Sequence, residues 1–407
     1  MANYVVVGCC LPLRRIVASA AILGGPGVDV EVEQGMSQQR PNAIAGYEDW
    51  ADYVLAGGAA GGEAPTGGLA EVLAPPAAPT QLQVTHGAAT SADGVRTQRL
   101  SWQLGYGPAT VAYLCTPEGA GGPLPAILLM HCHSGNKWVG AERLVDLGEQ
   151  DTPESLALRA QMYGGQAVAS HLARQGFAVL AHDAFVWGSR AFTLDPRPAR
   201  ADFHLQGQMA LWREQGEEAT PERIYNTLAA DHEHTVAKVA LMLGTTFAGM
   251  VAHDDLAALT VLASLPMVDV DRIGTMGLSG GGGRAMLLAS LSPRIRAHLV
   301  AGMMFTFDSL LPAHIDAHSW LMYSPGILRY SEWPLIPTHA PTRQSMHVQF
   351  ASQDALFSLA GMRAADAMLR AADPAAVEYS SAWFDEPHRM TPQMQDDAAA
   401  FFTRALG

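Results

Sequence analysis

The chain predicts an α/β fold: a mostly parallel central sheet with helices on both faces. Three features carry that reading. From about Thr97 onward, short apolar or alternating runs of strand length trade places with longer runs of helical composition. Several strand runs, residues 126–130 above all, are apolar without interruption, as expected of strands buried on both faces. Finally, Gly277-Leu278-Ser279-Gly280-Gly281 joins one such strand to a helix through a turn crowded enough to need glycine on either side.

The elements follow in order. Residues 97–104 alternate and residues 110–116 follow them, so the two read as an antiparallel pair. Residues 126–130 form the first buried strand. A helix over 167–175 is stopped by Gly176 and leads into a strand over 177–182. A long helix is expected over 238–264, then the strand 272–276, the glycine turn and a helix over 284–291 rich in Ala, Leu and Met. Strands over 297–304 and 346–351, a helix over 361–371, a strand over Val377–Phe384 and a closing helix over Pro392–Leu406 complete the alternation. Two segments interrupt it, at about 190–235 and 305–341. Insertions of that length in a compact sheet are expected to be lids or binding loops. Residues 1–95 read as an N-terminal extension, partly irregular and rich in Ala, Gly and Pro, with one short helix over Gly68–Leu73. Residues 96–407 read as the catalytic domain.

Composition narrows the partners. Of 407 residues, 49% are hydrophobic and 16% charged, which allows a large core. The net charge of −14 argues against nucleic acid and against an anionic membrane, both of which reward basic patches. No apolar run reaches the ~20 residues that span a bilayer. The four cysteines, Cys9, Cys10, Cys115 and Cys132, form neither a disulfide framework nor a C-x-x-C metal site. Arg14-Arg15 ahead of the short apolar stretch 16–23 is a weak twin-arginine-like pattern. The apolar residues before the arginines are wrong for an export signal, so residence in the cytoplasm is expected.

The glycine turn has the form of a nucleophile elbow, in which a strained serine is lifted above the carboxyl edge of the sheet. A P-loop is excluded because no lysine follows Gly283. A serine hydroxyl needs a base to take its proton and a third group to orient that base. Downstream of Ser279, only His388 lies in a turn after the last strand, within Asp385-Glu386-Pro387-His388. The acid is expected after the preceding strand, where Gln349-Phe350-Ala351-Ser352-Gln353-Asp354 supplies Asp354, with Asp308 as the alternative. Asp385 is too close in sequence to His388 to orient it. Oxyanion donors are expected from the backbone N–H of Gly280 and of His133, the latter in the loop after residues 126–130. Neither His131 with His133 nor Asp231-His232-Glu233-His234 completes a metal site, and the latter reads as a polar lid turn. Phe305, Trp320, Tyr323 and Trp333 in the second insertion are candidates for contact with a bulky apolar substrate.

Taken together, these pieces resemble the dienelactone hydrolase and acetyl xylan esterase branch of the α/β-hydrolases. The resemblance covers about residues 125–402. Leu128-Leu-Met-His-Cys-His-Ser-Gly-Asn136 resembles that branch's strand followed by H-G-H-G-G. Ala173-Arg-Gln-Gly-Phe-Ala-Val-Leu-Ala-His-Asp183 resembles a second signature of the branch. Asp254 through Gly274 resembles the helix and D-x-x-R-I-G that lead into the elbow. Cys132 and Ser134 stand where the branch has glycines. Ser279 stands where dienelactone hydrolases proper use cysteine, which places the likeness on the esterase side. The resemblance implies hydrolysis of a small-molecule carboxylic ester through an acyl-enzyme, with no metal or organic cofactor. A lactonase, thioesterase or acyltransferase tailoring a natural product would use the same three residues. A hydrolase-like binding protein would have no need of all three.

Overall fold

The structure is a computed structural model that describes residues 67–407 together with Val54. The extension before residue 67, with Arg14-Arg15, Cys9 and Cys10, therefore lies outside the described residues. Among the described residues, nine strands form one sheet. Their ranges are β1 Thr85–Ala92, β2 Val95–Trp102, β3 Thr110–Pro117, β4 Leu124–Met130, β5 Ala178–His182, β6 Val268–Leu278, β7 Ile295–Ala301, β8 Gln344–Ala351 and β9 Val377–Phe384. Their spatial order is β1-β2-β3-β5-β4-β6-β7-β8-β9. The strands β1, β2, β3 and β5 pair antiparallel in turn, and from β5 through β9 every pairing is parallel. The chain leaves β4 toward β5 on one side and returns to β6 on the other. The strand order thus reverses at β4, and a crevice opens beyond the carboxyl ends of β4 and β6.

Alternation along β4 divides the core between two faces. Ile127 and Leu129 pack with helices α2 (Pro153–Tyr163) and α3 (Val168–Arg174) and with the closing helix Pro392–Leu406. Ala126, Leu128 and Met130 face α6 (Phe247–Ser264) and α7 (Gly280–Leu291). Farther along that second face, Val300, Val348 and Phe350 pack with the helix Leu359–Ala371 and with Phe305 and Trp333.

The sequence reading needs four corrections. The sheet begins at Thr85, so a boundary at residue 95 cuts through a hairpin whose turn is Asp93-Gly94, both with positive φ. The outer strand β1 is exposed throughout and lacks the apolar alternation by which strands are recognised. The helix α1 (Gly68–Leu73) belongs to the same core: Thr246 Oγ1 donates to the Leu73 carbonyl at 2.8 Å, and Leu69 and Leu73 are buried. The helix expected over 238–264 is two helices. The first, α5 (Pro221–Met242), stops before Gly244 in the left-handed region, and Thr246 caps the second by accepting from Gly249 N. Residues 231–234, expected in a turn, are therefore helical. Helices α4 (Ala199–Gln215) and α5 form a hairpin with its own small core of Leu205, Trp212, Leu228 and Ala229. Among the described residues no single helix is long and apolar enough to cross a membrane.

Two glycine substitutions test this packing. A Cβ on Gly281 would overlap the Met130 carbonyl, whereas one on Gly207, exposed within α4, meets nothing within 4 Å. Gly281→Ala is expected to destabilise by at least about 2 kcal/mol in denaturant unfolding. Gly207→Ala is expected to stabilise by about 0.5–1 kcal/mol.

Candidate active site

The elbow is built as its glycines require. Ser279 sits between β6 and α7 at φ 58° and ψ −129°, a backbone conformation that costs a non-glycine residue on the order of 1–3 kcal/mol. It is held there because Ser279 N donates to Ala301 O at 2.7 Å and Gly283 N donates to Ser279 O at 3.0 Å. A Cβ on Gly277 would collide with the Gly281 backbone, and one on Gly281 with the Met130 carbonyl. Behind the elbow, Arg284 Nη2 donates to Asp255 Oδ1 at 2.6 Å and Arg284 Nη1 to the His131 carbonyl at 3.4 Å. His182 Nε2 lies 3.0 Å from the same Asp255 oxygen. Burial opposes the charge on Asp255, but the Arg284 guanidinium and His182 outweigh it and hold its carboxyl below its ordinary value.

His388 and Asp354 come from neighbouring parallel strands, β9 and β8. His388 Nδ1 lies 2.5 Å from Asp354 Oδ2, and the Asp354 side chain is fully buried. The other Asp354 oxygen accepts from Leu356 N at 2.8 Å. Asp354 engages Nδ1, so Nε2 is the ring nitrogen free of that carboxylate. The two loops are tied together: Ser352 N donates to Phe384 O at 2.8 Å, and Ser352 Oγ and Gln353 Nε2 both donate to Asp385 Oδ1. Asp385 is thus a brace between the loops. Asp308 lies on a separate short helix, Phe307–Leu310. Gly302, at φ 59°, ends β7 beneath the His388 ring, where a Cβ would come within 3.4 Å of His388 Cε1.

Ser279, Gly280, His133 and His388 line one cleft of about 560 Å³, its open mouth included, with Met162, Met303, Leu321, Met322 and Leu356 as its apolar wall. Gly280 opens α7, so its N–H is among those with no intrahelical acceptor. His133 N lies 3.5 Å from where a Gly280 Cβ would stand, which brings the two expected oxyanion donors to one spot. Ser134, in place of a glycine, takes φ 53° and is steadied by Arg143 Nη1 donating to its Oγ at 3.0 Å.

The four aromatics expected at the substrate do not line this cleft. Phe305 stacks between Trp333 and Phe357, at 5.4 and 5.0 Å, and Trp333 Nε1 donates to Met303 O. Tyr323 donates its hydroxyl to Ile315 O, and Trp320 Nε1 donates to His234 Nδ1. Their rings hold the second insertion together, and smaller residues from the same insertion, Leu321 and Met322, face the cleft instead. His318 also lines it, stacked on Phe357 at 4.7 Å with Nε2–H donating to Leu356 O at 3.1 Å. Among the described residues no group of three or more His, Cys, Asp and Glu could hold a metal ion.

Residues 111–302 match the model of the dienelactone hydrolase family. YtaP of Bacillus subtilis (strain 168), provisionally named as a hydrolase, is 25% identical over 220 residues. That is 54% of this chain and 57% of the relative's own length. A glucuronoyl esterase from Solibacter usitatus superposes with a TM-score of 0.54 at 14% identity, over 90% of this chain and 94% of that one. A Bacteroides fragilis NCTC 9343 protein, provisionally described as an acetyl xylan esterase, superposes with a TM-score of 0.51 at 17% identity, over 77% and 72% of the two chains. At such identities these are likenesses of fold.

Burial pushes His318 down to about 4, with the nearby His388 acting in the same direction, and burial also pushes His298 down to about 4. Between about pH 6.5 and 4 the unfolded chain binds protons at these positions that the folded chain does not, so stability falls as pH falls through that window. Denaturant midpoints measured from pH 7 to pH 4 are expected to drop, and His318→Phe is expected to flatten part of that slope.

Proposed function

From a chain that carries a dienelactone hydrolase family domain on the α/β-hydrolase fold, we propose a serine hydrolase that cleaves carboxylic esters of small molecules. The observation that carries the reading is the 2.5 Å contact of His388 with buried Asp354, in a ring that faces the same cleft as the strained Ser279. Asp354 keeps the proton on Nδ1 and stabilises the imidazolium that forms. His388 Nε2 takes the Ser279 proton as Oγ bonds to the ester carbonyl carbon. The carbonyl π electrons move to the oxygen, which becomes the oxyanion between the N–H groups of Gly280 and His133. The oxyanion collapses, the ester C–O bond breaks, and His388 hands its proton to the leaving alcohol. Water then repeats the sequence on the acyl-enzyme and frees the acid and the Ser279 hydroxyl.

Leu321 Cδ2 lies 3.3 Å from the Cβ position of Gly280, and Met303 and Met322 stand beside it. An acyl chain attached to a carbonyl over Gly280 meets this wall after a few carbons. The reading is therefore of an esterase for short acyl groups. Phe305, Tyr323 and Trp333 line a separate small cavity behind Met322, so a bulky apolar substrate would have to reach past that residue to meet them.

Hydrolysis of p-nitrophenyl acetate is expected to fall at least about 10⁴-fold in Ser279→Ala, and by a comparable factor in Asp354→Asn, which leaves the wrong tautomer. Equal rates in wild type and Ser279→Ala would refute the reading. The wild type is expected to prefer acetate over butyrate, and Leu321→Ala is expected to narrow that preference.

A further inference from the structure

The loop that carries His133 is gathered from within by Arg143, which donates to Cys132 O, Ser134 Oγ and Asn136 O, each at 3.0 Å, and supported from outside by the first insertion. It is seated on α5, the second helix of the first insertion. Asn136 Nδ2 donates to Glu222 Oε1 at 2.5 Å, and the N–H groups of Lys137 and Trp138 both donate to Asn226 Oδ1, at 2.8 and 3.1 Å. One face of α5 continues to Glu233, which is 5% exposed and ion-paired with Lys137, itself 2% exposed. The Lys137 ammonium lies 3.8 Å above the Trp187 ring and 3.2 Å from His133 Nε2. Gly135 N donates to His133 Nδ1 at 2.9 Å, and His133 Nε2 lies 3.6 Å from Glu233 Oε2. Trp187 meets the same ring edge-on at 5.3 Å. The His133 side chain, about a quarter exposed where it lines the cleft, is held on its other sides by these groups. The other oxygen of Glu233 accepts from Ser319 Oγ at 2.7 Å and Trp320 N at 3.0 Å, in the segment that brings Leu321 over Gly280.

We propose that Glu233 is a positioning residue for the oxyanion loop. Through Lys137 and the His133 ring it sets the His133 backbone donor, and through Ser319 and Trp320 it sets the acyl wall opposite. The first insertion is then the template on which half of the oxyanion hole is built, and Glu233 touches neither substrate nor reacting atoms. Burial opposes ionisation of Glu233, but Lys137 and His133 outweigh it and pull its carboxyl far below the ordinary value, while burial pulls the Lys137 ammonium below its own. The inference rests on the ester-hydrolase reading.

The test uses the full chain, with active sites counted by a fluorophosphonate. Glu233→Gln keeps an oxygen for Ser319 and Trp320 but loses the ion pair. The double variant Glu233→Gln/Lys137→Met also removes the stranded buried charge. Per titrated site, both are expected to lose roughly 10²-fold in kcat on p-nitrophenyl acetate, the scale of one lost oxyanion donor. KM should stay within about threefold, as for an interaction made only in the transition state. The Ki of phenylboronic acid, whose tetrahedral adduct places an oxygen in the same hole, should rise by a similar factor. Leu205→Ala thins the core of the α4–α5 hairpin away from the loop. It is expected to lower the unfolding temperature and leave the boronate Ki unchanged. Wild-type kcat and Ki in the folded double variant would overturn the proposal, as would an equal Ki shift in Leu205→Ala. A wild-type chain whose Ser279 does not label with the fluorophosphonate would instead remove the hydrolase reading, and this inference with it.

Discussion

The site depends on one side-chain-free contact, the packing of the first turn of α7 against the end of β4. The carbonyls of Met130 and His131 occupy the space a Cβ on Gly281 would need, and the Met130 carbonyl also crowds the Cβ position of Gly277. With glycine at both places, two neighbouring parallel strands end in loops that touch. One loop presents the Ser279 hydroxyl and the other the His133 N–H. Interiors are packed too tightly to absorb an extra methyl at such a point by small adjustments. The contact therefore fixes where Ser279 and the His133 N–H stand relative to each other.

Charge behind the contact reinforces it. Arg284 on α7 reaches both Asp255 on α6 and the His131 carbonyl at the end of β4, and His182 at the end of β5 shares the same carboxylate. A buried ion pair of this kind adds little net stability over apolar packing, but leaving one partner without the other costs about 3–5 kcal/mol. Its consequence is geometric: α6, α7, β4 and β5 have one arrangement in which all of these groups are satisfied. The strain at Ser279 is carried by that arrangement, since a positive φ on serine persists only where the surroundings dictate it.

The insertions serve the site in two ways. Aromatic stacking among Phe305, Trp333 and Phe357 anchors the second insertion on the core beside the sheet, while Leu321 and Met322 line the cleft. Polar contacts from α5 seat the loop after β4. A loop bearing serine at a left-handed position gains from such external support, since its backbone is not the conformation that serine prefers.

The parallel sheet, the glycine turn at Ser279 and the loops carrying Asp354 and His388 were legible in the sequence. Those signals are local: unbroken apolar runs at β4 and β5, glycines at fixed offsets from Ser279, and polar turns after β8 and β9 that hold Asp354 and His388. Exposed β1 left no such mark, and the break between α5 and α6 was signalled only by Gly244 and the capping Thr246 inside an otherwise helical run. Which large side chains line the cleft and which pack against one another emerges only on folding. Aromatic content marks a segment as able to pack, and the partners, 28 residues apart for Phe305 and Trp333, decide against what. Glu233 was legible only as part of an acidic and histidine-rich string. Its ion pair with Lys137, 96 residues earlier in the chain, exists because β4 and α5 are neighbours in space. Long-range pairs of that kind have no period and no fixed offset, so their chemistry appears only once the chain has folded.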